Sequence, residues 1–246
     1  MDEIRAHFQC MPSGYWEHVN RQDLLWHLNT IHCFLRNLAT SESAEAPVAL
    51  DWKKSGADGL THVVVCSWDR RGLLEKVAAA FGALRIAIRR ADVYTRTDSL
   101  VLDVFEVSEP EGGALGDEKR LSNLPFLVQG AFSHPPRFAS VWATEFHKYL
   151  PRKAGRPLKI RFDNRKCPGQ TLLCVEAPDR LGLLYDLLHT LAGSELQIAQ
   201  AIIETDGDIA LDRFHLTDAD GAKVMDPSRL RRLRKVLTEA VNAPRR

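Results

Sequence analysis

Apolar and polar positions along this chain follow two periods, and the same succession of periods occurs twice. Residues 61–66 (THVVVC) and 171–176 (TLLCVE) are apolar runs of strand length. Each passes through a short polar junction into a stretch with helical spacing. Leu73, Leu74, Val77, Phe81 and Leu84 make one apolar stripe in the first copy, and residues 179–191 repeat it in the second. Two strand-like runs follow in each copy, at 88–94 and 100–107, then at 198–204 and 209–216. A helix over 117–128 ends the first set, and one over 227–241 ends the second. The order β-α-β-β-α, with further strands predicted at 48–50 and 158–162 to complete the sheets, is the ferredoxin-like split β-α-β plan, βαββαβ when complete. The fold class is α+β, with helices on one face of an antiparallel sheet and the other face or an edge left for pairing.

The repeat is sharpest at one junction. Residues 68–77 read WDRRGLLEKV and residues 178–187 read PDRLGLLYDL, 110 positions apart as Asp69 is from Asp179. That period suits a whole small domain rather than a solenoid unit. Residues 88–95 (IRRADVYT) match 198–205 (IAQAIIET), and Leu102-Asp103-Val104-Phe105 matches Leu211-Asp212-Arg213-Phe214 after a one-residue slip. Upstream, Leu24, Leu25, Leu28, Ile31, Leu35 and Leu38 recur at helical spacing behind Asp23, the expected cap. The polar run 41–47 (SESAEAP) reads as a linker. Residues 130–157 carry Pro135-Pro136 and a basic tail with little periodicity, and a short helix over 141–149 fits there. The expected organisation is a helical segment over 1–44, a first domain over 45–157 with a divergent C-terminal insertion, and a second over 158–246.

Composition narrows the field. A chain of 246 residues holds two domains of roughly 100 residues each plus an extension. A formal net charge of +1 argues against a dedicated nucleic-acid or membrane binder. The acidic start MDEIRAHFQCM does not resemble a signal peptide, and no apolar run approaches the roughly 20 residues of a membrane span, so a cytoplasmic protein is expected. Five cysteines with no C-x-x-C pair predict reduced thiols, those of Cys66 and Cys174 buried in strands. No metal or other cofactor is expected. His27 and His32, five apart on the first helix, do not share a metal-binding face and read as polar positions at a helix boundary. Arg229, Arg231, Arg232, Arg234 and Lys235 read as the solvated face of a helix whose buried stripe is Leu230, Leu233 and Leu237. Asp218-Ala219-Asp220-Gly221 lacks the ligand pattern of a calcium loop and reads as a turn.

The Asp-Arg-x-Gly junction carries the candidate chemistry. A carboxylate at Asp69 or Asp179 can cap the helix behind it, or receive an ammonium group. Unpaired N–H groups in the first helical turn suit a carboxylate, and together the two ends would hold a small zwitterion. Gly72 and Gly182 either relieve packing or admit a ligand, since they carry no Cβ. Asp103 and Asp212 share one side of their sheets by the period-two rule, where they serve an interface between the copies or lie on an exposed face.

A strand, then Asp-Arg-x-Gly-Leu-Leu opening a helix, then a hairpin with Ala91 and Thr95, or Ala201 and Thr205, resembles the ACT domain, an amino-acid-sensing module. The resemblance covers residues 60–130 and 170–242. Residues 6–15 (AHFQCMPSGY), Trp26-His27-Leu28, 159–164 (KIRFDN), 174–184 (CVEAPDRLGLL) and 212–221 (DRFHLTDADG) further resemble the C-terminal part of bacterial PII uridylyltransferase/uridylyl-removing enzymes. The resemblance implies the end of a hydrolase domain followed by two tandem ACT domains that sense glutamine. That family's Gly-Ser loop with paired aspartates has no counterpart here, nor does the His-Asp dipeptide of its hydrolase, so no catalytic site is expected. The ligand residues it implies are Asp179, Arg180, Gly182, Leu183 and Leu184 with Gln197, and Asp69, Arg70, Gly72 and Leu73. Arg71 and Leu181 replace the family's loop proline. Arg85 and Glu195 replace a turn glycine, which predicts a reshaped turn, and Ala87 replaces a polar ligand-holding residue, so the second copy ranks first as the ligand site. The implied partners are a small amino acid, glutamine first, a PII-type or catalytic protein, and a second copy of the chain through the ACT domains. The alternatives are a subunit or remnant of a uridylyltransferase assembly, and a ligand-free dimerisation module.

Overall fold

The computed structural model describes residues 3–40, 48–54, 59–133 and 158–242. The linker read at 41–47 and the short helix read at 141–149 lie outside them. Three helices come first: α1 (Glu3–Cys10), α2 (Ser13–His18) and α3 (Arg21–Thr40). The first half continues with β1 (Ala49–Lys54), β2 (Thr61–Trp68), α4 (Leu73–Ala83), β3 (Ala87–Thr95) and β4 (Leu100–Ser108). A 3-10 turn over Glu118–Asn123, started by the Asp117 carboxylate on the Lys119 N–H, then leads into α5 (Leu124–Ser133). The second half repeats the plan with β5 (Lys159–Asp163), β6 (Thr171–Pro178), α6 (Leu183–Gly193), β7 (Gln197–Asp206), β8 (Ile209–Thr217) and α7 (Pro227–Asn242). The strand that completes each ferredoxin-like sheet thus precedes its copy, forming an antiparallel hairpin with the next strand.

The eight strands among the described residues join in one antiparallel sheet of order β1-β2-β4-β3-β7-β8-β6-β5. The two copies meet at the β3–β7 ladder, from Arg90 opposite Glu204 to Tyr94 opposite Gln200. Asp92 and Ile202 hold equivalent places in the repeat and face each other, so a local twofold axis passes between them. The edges left free by the sequence pattern are therefore paired within one chain. Helices α4 and α6 pack together across the same axis, flanked by α5 and α7. One apolar core lies between these helices and the sheet, holding Phe81 and Phe105 from the first half and Leu187 and Phe214 from the second. Each such fully buried side chain contributes about 1.5–3 kcal/mol.

The first half has a second core on its other face. Met11, Tyr15, Ile31 and Phe34 pack on Val64, Cys66, Leu100 and Leu102. Asp23 is not the cap of α3: the helix starts earlier, at Arg21, and Asn20 Oδ1 accepts from the N–H groups of Gln22 and Asp23. Asp23 instead pairs with Lys53 at 2.7 Å. His27 is not a boundary residue either. It is buried and linked through the Tyr15 hydroxyl, 2.8 Å from its Nδ1 and 3.2 Å from His7 Nε2. Helical spacing shows the apolar stripe, but not that Tyr15 gives the imidazole an inward partner. Cys66 is buried and Cys174 half-buried, both as free thiols. No described helix is long and apolar enough to cross a membrane.

Candidate functional site

Both Asp-Arg-x-Gly junctions adopt one geometry. Helices α4 and α6 start after the glycine, at Leu73 and Leu183, and Gly72 and Gly182 occupy the N-cap with φ of 78° and 79°. Glycine is needed there because a Cβ makes this left-handed conformation costly. The N-cap position belongs to the glycine in each case, so Asp69 and Asp179 are not the cap residues. Their backbones are pinned to the following hairpins: Asp69 N–H donates to Ser99 O at 2.7 Å and Asp179 N–H to Asp208 O at 2.8 Å. Both carboxylates line the space before the helix.

That space is a cleft in each case, and each cleft is built from both halves. The first, of about 540 Å³, joins Asp69, Arg70, Gly72 and Leu73 to Glu195, Gln197 and Ala199 of the second half, with Asp103 also lining it. The second, of about 740 Å³, joins Asp179, Arg180, Gly182, Leu183 and Leu184 to Ile86, Ala87 and Arg89 of the first half, with Asp212 also lining it. Gln197 thus belongs with the Asp69 junction and not with Asp179. The local twofold causes the exchange, carrying each turn across the axis to the other copy's loop. The ranking of the second copy as ligand site rested on Gln197 lying near Asp179, and it loses that support.

The turns keep their shape despite lacking glycine. Arg85 and Glu195 hold φ of 56° and 58°. Ile86 N–H donates to Phe81 O and Arg85 N–H to Gly82 O; Leu196 and Glu195 repeat this with Leu191 and Ala192. This is the Schellman ending of a helix, and its paired hydrogen bonds hold a non-glycine residue in the left-handed region. The expected reshaping does not occur.

Electrostatically the clefts differ. Burial raises the Asp179 carboxyl above its ordinary range, opposed by Arg89, the Arg180 N–H and Thr205. Arg89 reaches across from the first half, its Nη1 3.5 Å from Asp179 Oδ2. Burial also raises Asp69, opposed by the Arg70 N–H, and among the described residues no cation lies within ion-pair distance of its carboxylate. The loop arginines turn toward the flanking helices. Arg180 Nη2 donates to Asp186 at 2.6 Å and, at 3.4 Å, to the carbonyls of Ala240 and Val241 on α7. Burial lowers its guanidinium to about 10, which leaves it charged at neutral pH. Arg70 stacks on Phe132 of α5, 3.9 Å from the ring centroid.

Asp103 and Asp212 are not on an exposed face. They sit on the helix-covered side of β4 and β8, 1% and 2% exposed. Both oxygens of Asp103 and Oδ1 of Asp212 lack a hydrogen-bond partner among the described residues. Desolvation holds both carboxyls well above the usual carboxylate range, reinforced by the neighbouring Asp69 and Asp179 charges. Alternation carried the signal: Val101, Phe105 and Val107 face the core, and a carboxylate at Asp103 interrupts them. Arg89 was missed because one arginine in a basic strand is unremarkable until it is set against Ala199, its repeat equivalent. Two further contacts cross the axis. Arg71 Nη2 donates to Ala192 O at 3.0 Å, and His189 Nδ1 lies 2.9 Å from Glu75 Oε1.

A repeated ferredoxin-like unit whose glycine junctions face the turns of a paired copy is the plan of two ACT-like folds set side by side, and the comparisons agree for the second half. The family model described as "ACR9-like, ACT-like domain" matches residues 159–246, and the internal repeat carries the same plan into the first half. Similar curated proteins are bifunctional uridylyltransferase/uridylyl-removing enzymes. That of Gluconobacter oxydans is 28% identical over 94% of this chain and 24% of its own length. That of Azospirillum brasilense is 30% identical over 81% of this chain and 22% of its length. That of Cereibacter sphaeroides is 30% identical over 97% of this chain and 25% of its length. The chain thus spans about a quarter of the length of these enzymes.

Proposed function

We propose that this chain is a regulatory module that binds a small amino acid, glutamine first, in the Asp69 cleft. One observation carries the proposal: the cleft's two walls come from different halves of the chain. Asp69 offers a carboxylate with no cation at ion-pair distance among the described residues, the first turn of α4 offers N–H donors, and Gln197 offers an amide across the gap. An ammonium group docks at Asp69, the ligand carboxylate at the helix start, and a polar ligand side chain meets Gln197. A ligand held this way favours the arrangement in which the walls are close, and that differential affinity is what a sensor needs. Coupling of this kind is typically worth about 1–3 kcal/mol.

The output side is also connected. Asp69 is bonded to Ser99 of the β3–β4 hairpin. Arg96 of the same hairpin pairs with Glu3 of α1 at 2.6 Å, and Thr97 N–H donates to Cys10 O at 3.0 Å. A shift at the junction thus reaches the N-terminal helices, where a PII-type or catalytic partner would read it. The uridylyltransferase names of the relatives support this context. Regulation rather than catalysis is the role assigned to the chain.

Titration calorimetry and thermal shift with a panel of twenty amino acids test the proposal. A selective response that Asp69→Asn abolishes is expected. Flat responses across the panel, or binding unchanged in Asp69→Asn, would refute it.

A further inference from the structure

The clefts are related by the local twofold, so each residue of one can be compared with its counterpart in the other. The main difference falls at the strand bulges. Both β3 and β7 break register at the same repeat position, between Ile88 and Arg90 and between Ile198 and Gln200. A bulge turns its extra residue away from the regular alternation. The residue at the first bulge is Arg89 and at the second Ala199, and each lines the cleft of the opposite junction.

The Arg89 guanidinium is set in place chiefly by its own half. Its Nε donates to Ser108 Oγ at 2.7 Å, and its Nη2 to Pro110 O at 3.1 Å and Glu109 O at 3.4 Å. These bonds leave Nη1 beside Asp179 Oδ2. The cation therefore stands where the amino group of a zwitterion would meet that carboxylate. A planar guanidinium held on three sides does not leave readily, and an ammonium entering beside it meets like charge in a partly desolvated cleft. The Ala199 methyl places no charge near Asp69.

We infer that Arg89 fills, from within the chain, the ammonium position of the Asp179 cleft, so that the chain binds one amino acid, at Asp69, and not two. The inference rests on the amino-acid reading of the Asp69 cleft and adds its stoichiometry and the residue that sets it. The Asp179 cleft then serves as a fixed clamp between the halves, and the Asp69 cleft as the adjustable one.

Calorimetric titration of the full chain with L-glutamine tests this in the unaltered protein and in two reciprocal variants, Arg89→Ala and Ala199→Arg. The Ala199 site is only half-buried, so the second variant tests the inference even where loss of Arg89 impairs folding. One site in the unaltered chain, a second in Arg89→Ala, and at least tenfold weaker binding in Ala199→Arg is the expected pattern. Two sites in the unaltered chain, no second site in a folded Arg89→Ala, or full affinity in Ala199→Arg overturns the inference while leaving amino-acid binding intact. Absence of binding in all three overturns the amino-acid reading and the inference together. Binding that appears only in Arg89→Ala places the ligand in the Asp179 cleft and overturns both the Asp69 reading and the stated stoichiometry.

Discussion

Replacing Asp103 by asparagine should stabilise the chain progressively as pH rises. Asp103 occupies the inward face of β4 between Val101 and Phe105, and both its oxygens are without partners among the described residues. Burial raises its carboxyl well above the ordinary range; the nearby Tyr94 N–H, outside hydrogen-bond geometry, opposes this through its dipole, and the Asp69 charge adds to it. The unfolded chain ionises this group near pH 3.9, while the folded chain keeps its proton to higher pH. Between those two values the folded state binds more protons, so stability falls as pH rises, by up to about 1.4 kcal/mol per pH unit. Below the unfolded value the group costs only the burial of an unsatisfied polar side chain, about 1–3 kcal/mol. Asparagine has nearly the same shape and does not titrate, so it keeps that cost and removes the pH-dependent loss.

For a chain of this size, each kcal/mol corresponds to about 2–4 °C in melting temperature. Differential scanning fluorimetry of both proteins from pH 4 to 8 should show a gap that widens in favour of Asp103→Asn. Asp212→Asn should behave alike, because Asp212 sits in the equivalent place with the Asp179 charge nearby. Lining separate clefts, the two substitutions should add within about 0.5 kcal/mol. A gap that stays constant with pH, or widens in favour of the aspartate, would refute the assignment of a buried neutral carboxyl.

Glu195→Gly should raise stability by roughly 1–2 kcal/mol in urea titration, because glycine relieves the left-handed backbone at φ 58°. Affinity for L-glutamine should rise with pH through the elevated Asp69 titration, since an ammonium favours the ionised carboxylate. Binding should therefore release protons, seen as a buffer-dependent heat in calorimetry. Burial lowers His7 and His27 to about 4, so their contribution is full above the ordinary value of 6.5 and is lost as pH falls toward 4, at about 1.4 kcal/mol per unit for each. Fluorescence of Trp16 and Trp26 should report loosening of the N-terminal helices in that window. Tyr15→Phe removes the hydroxyl that joins the two rings and should cost about 1–3 kcal/mol for each imidazole nitrogen left unpaired.

What the sequence made legible and what it hid divide along a physical line. The strands, the helices and the doubling all follow from local periodicity, and Asp-Arg-x-Gly recurs because both junctions need a left-handed glycine before a helix. The pairing of junction with turn depends on an axis between β3 and β7 that no local pattern encodes, so Gln197 was matched to the wrong aspartate. The same axis explains why duplication produced unequal sites. Each cleft draws its junction from one copy and its turn and bulge from the other, so a change at a single bulge alters one cleft only. Arg89 opposite Ala199 gives one cleft an internal cation, and Ala87 opposite Gln197 removes an amide from that same cleft. Both differences act in one direction, leaving the Asp179 cleft self-satisfied and the Asp69 cleft open. Both substitutions leave the same cleft short of a ligand's needs, as the proposed division of labour between clamp and sensor requires, and both lie on β3 rather than in the conspicuous repeated motif.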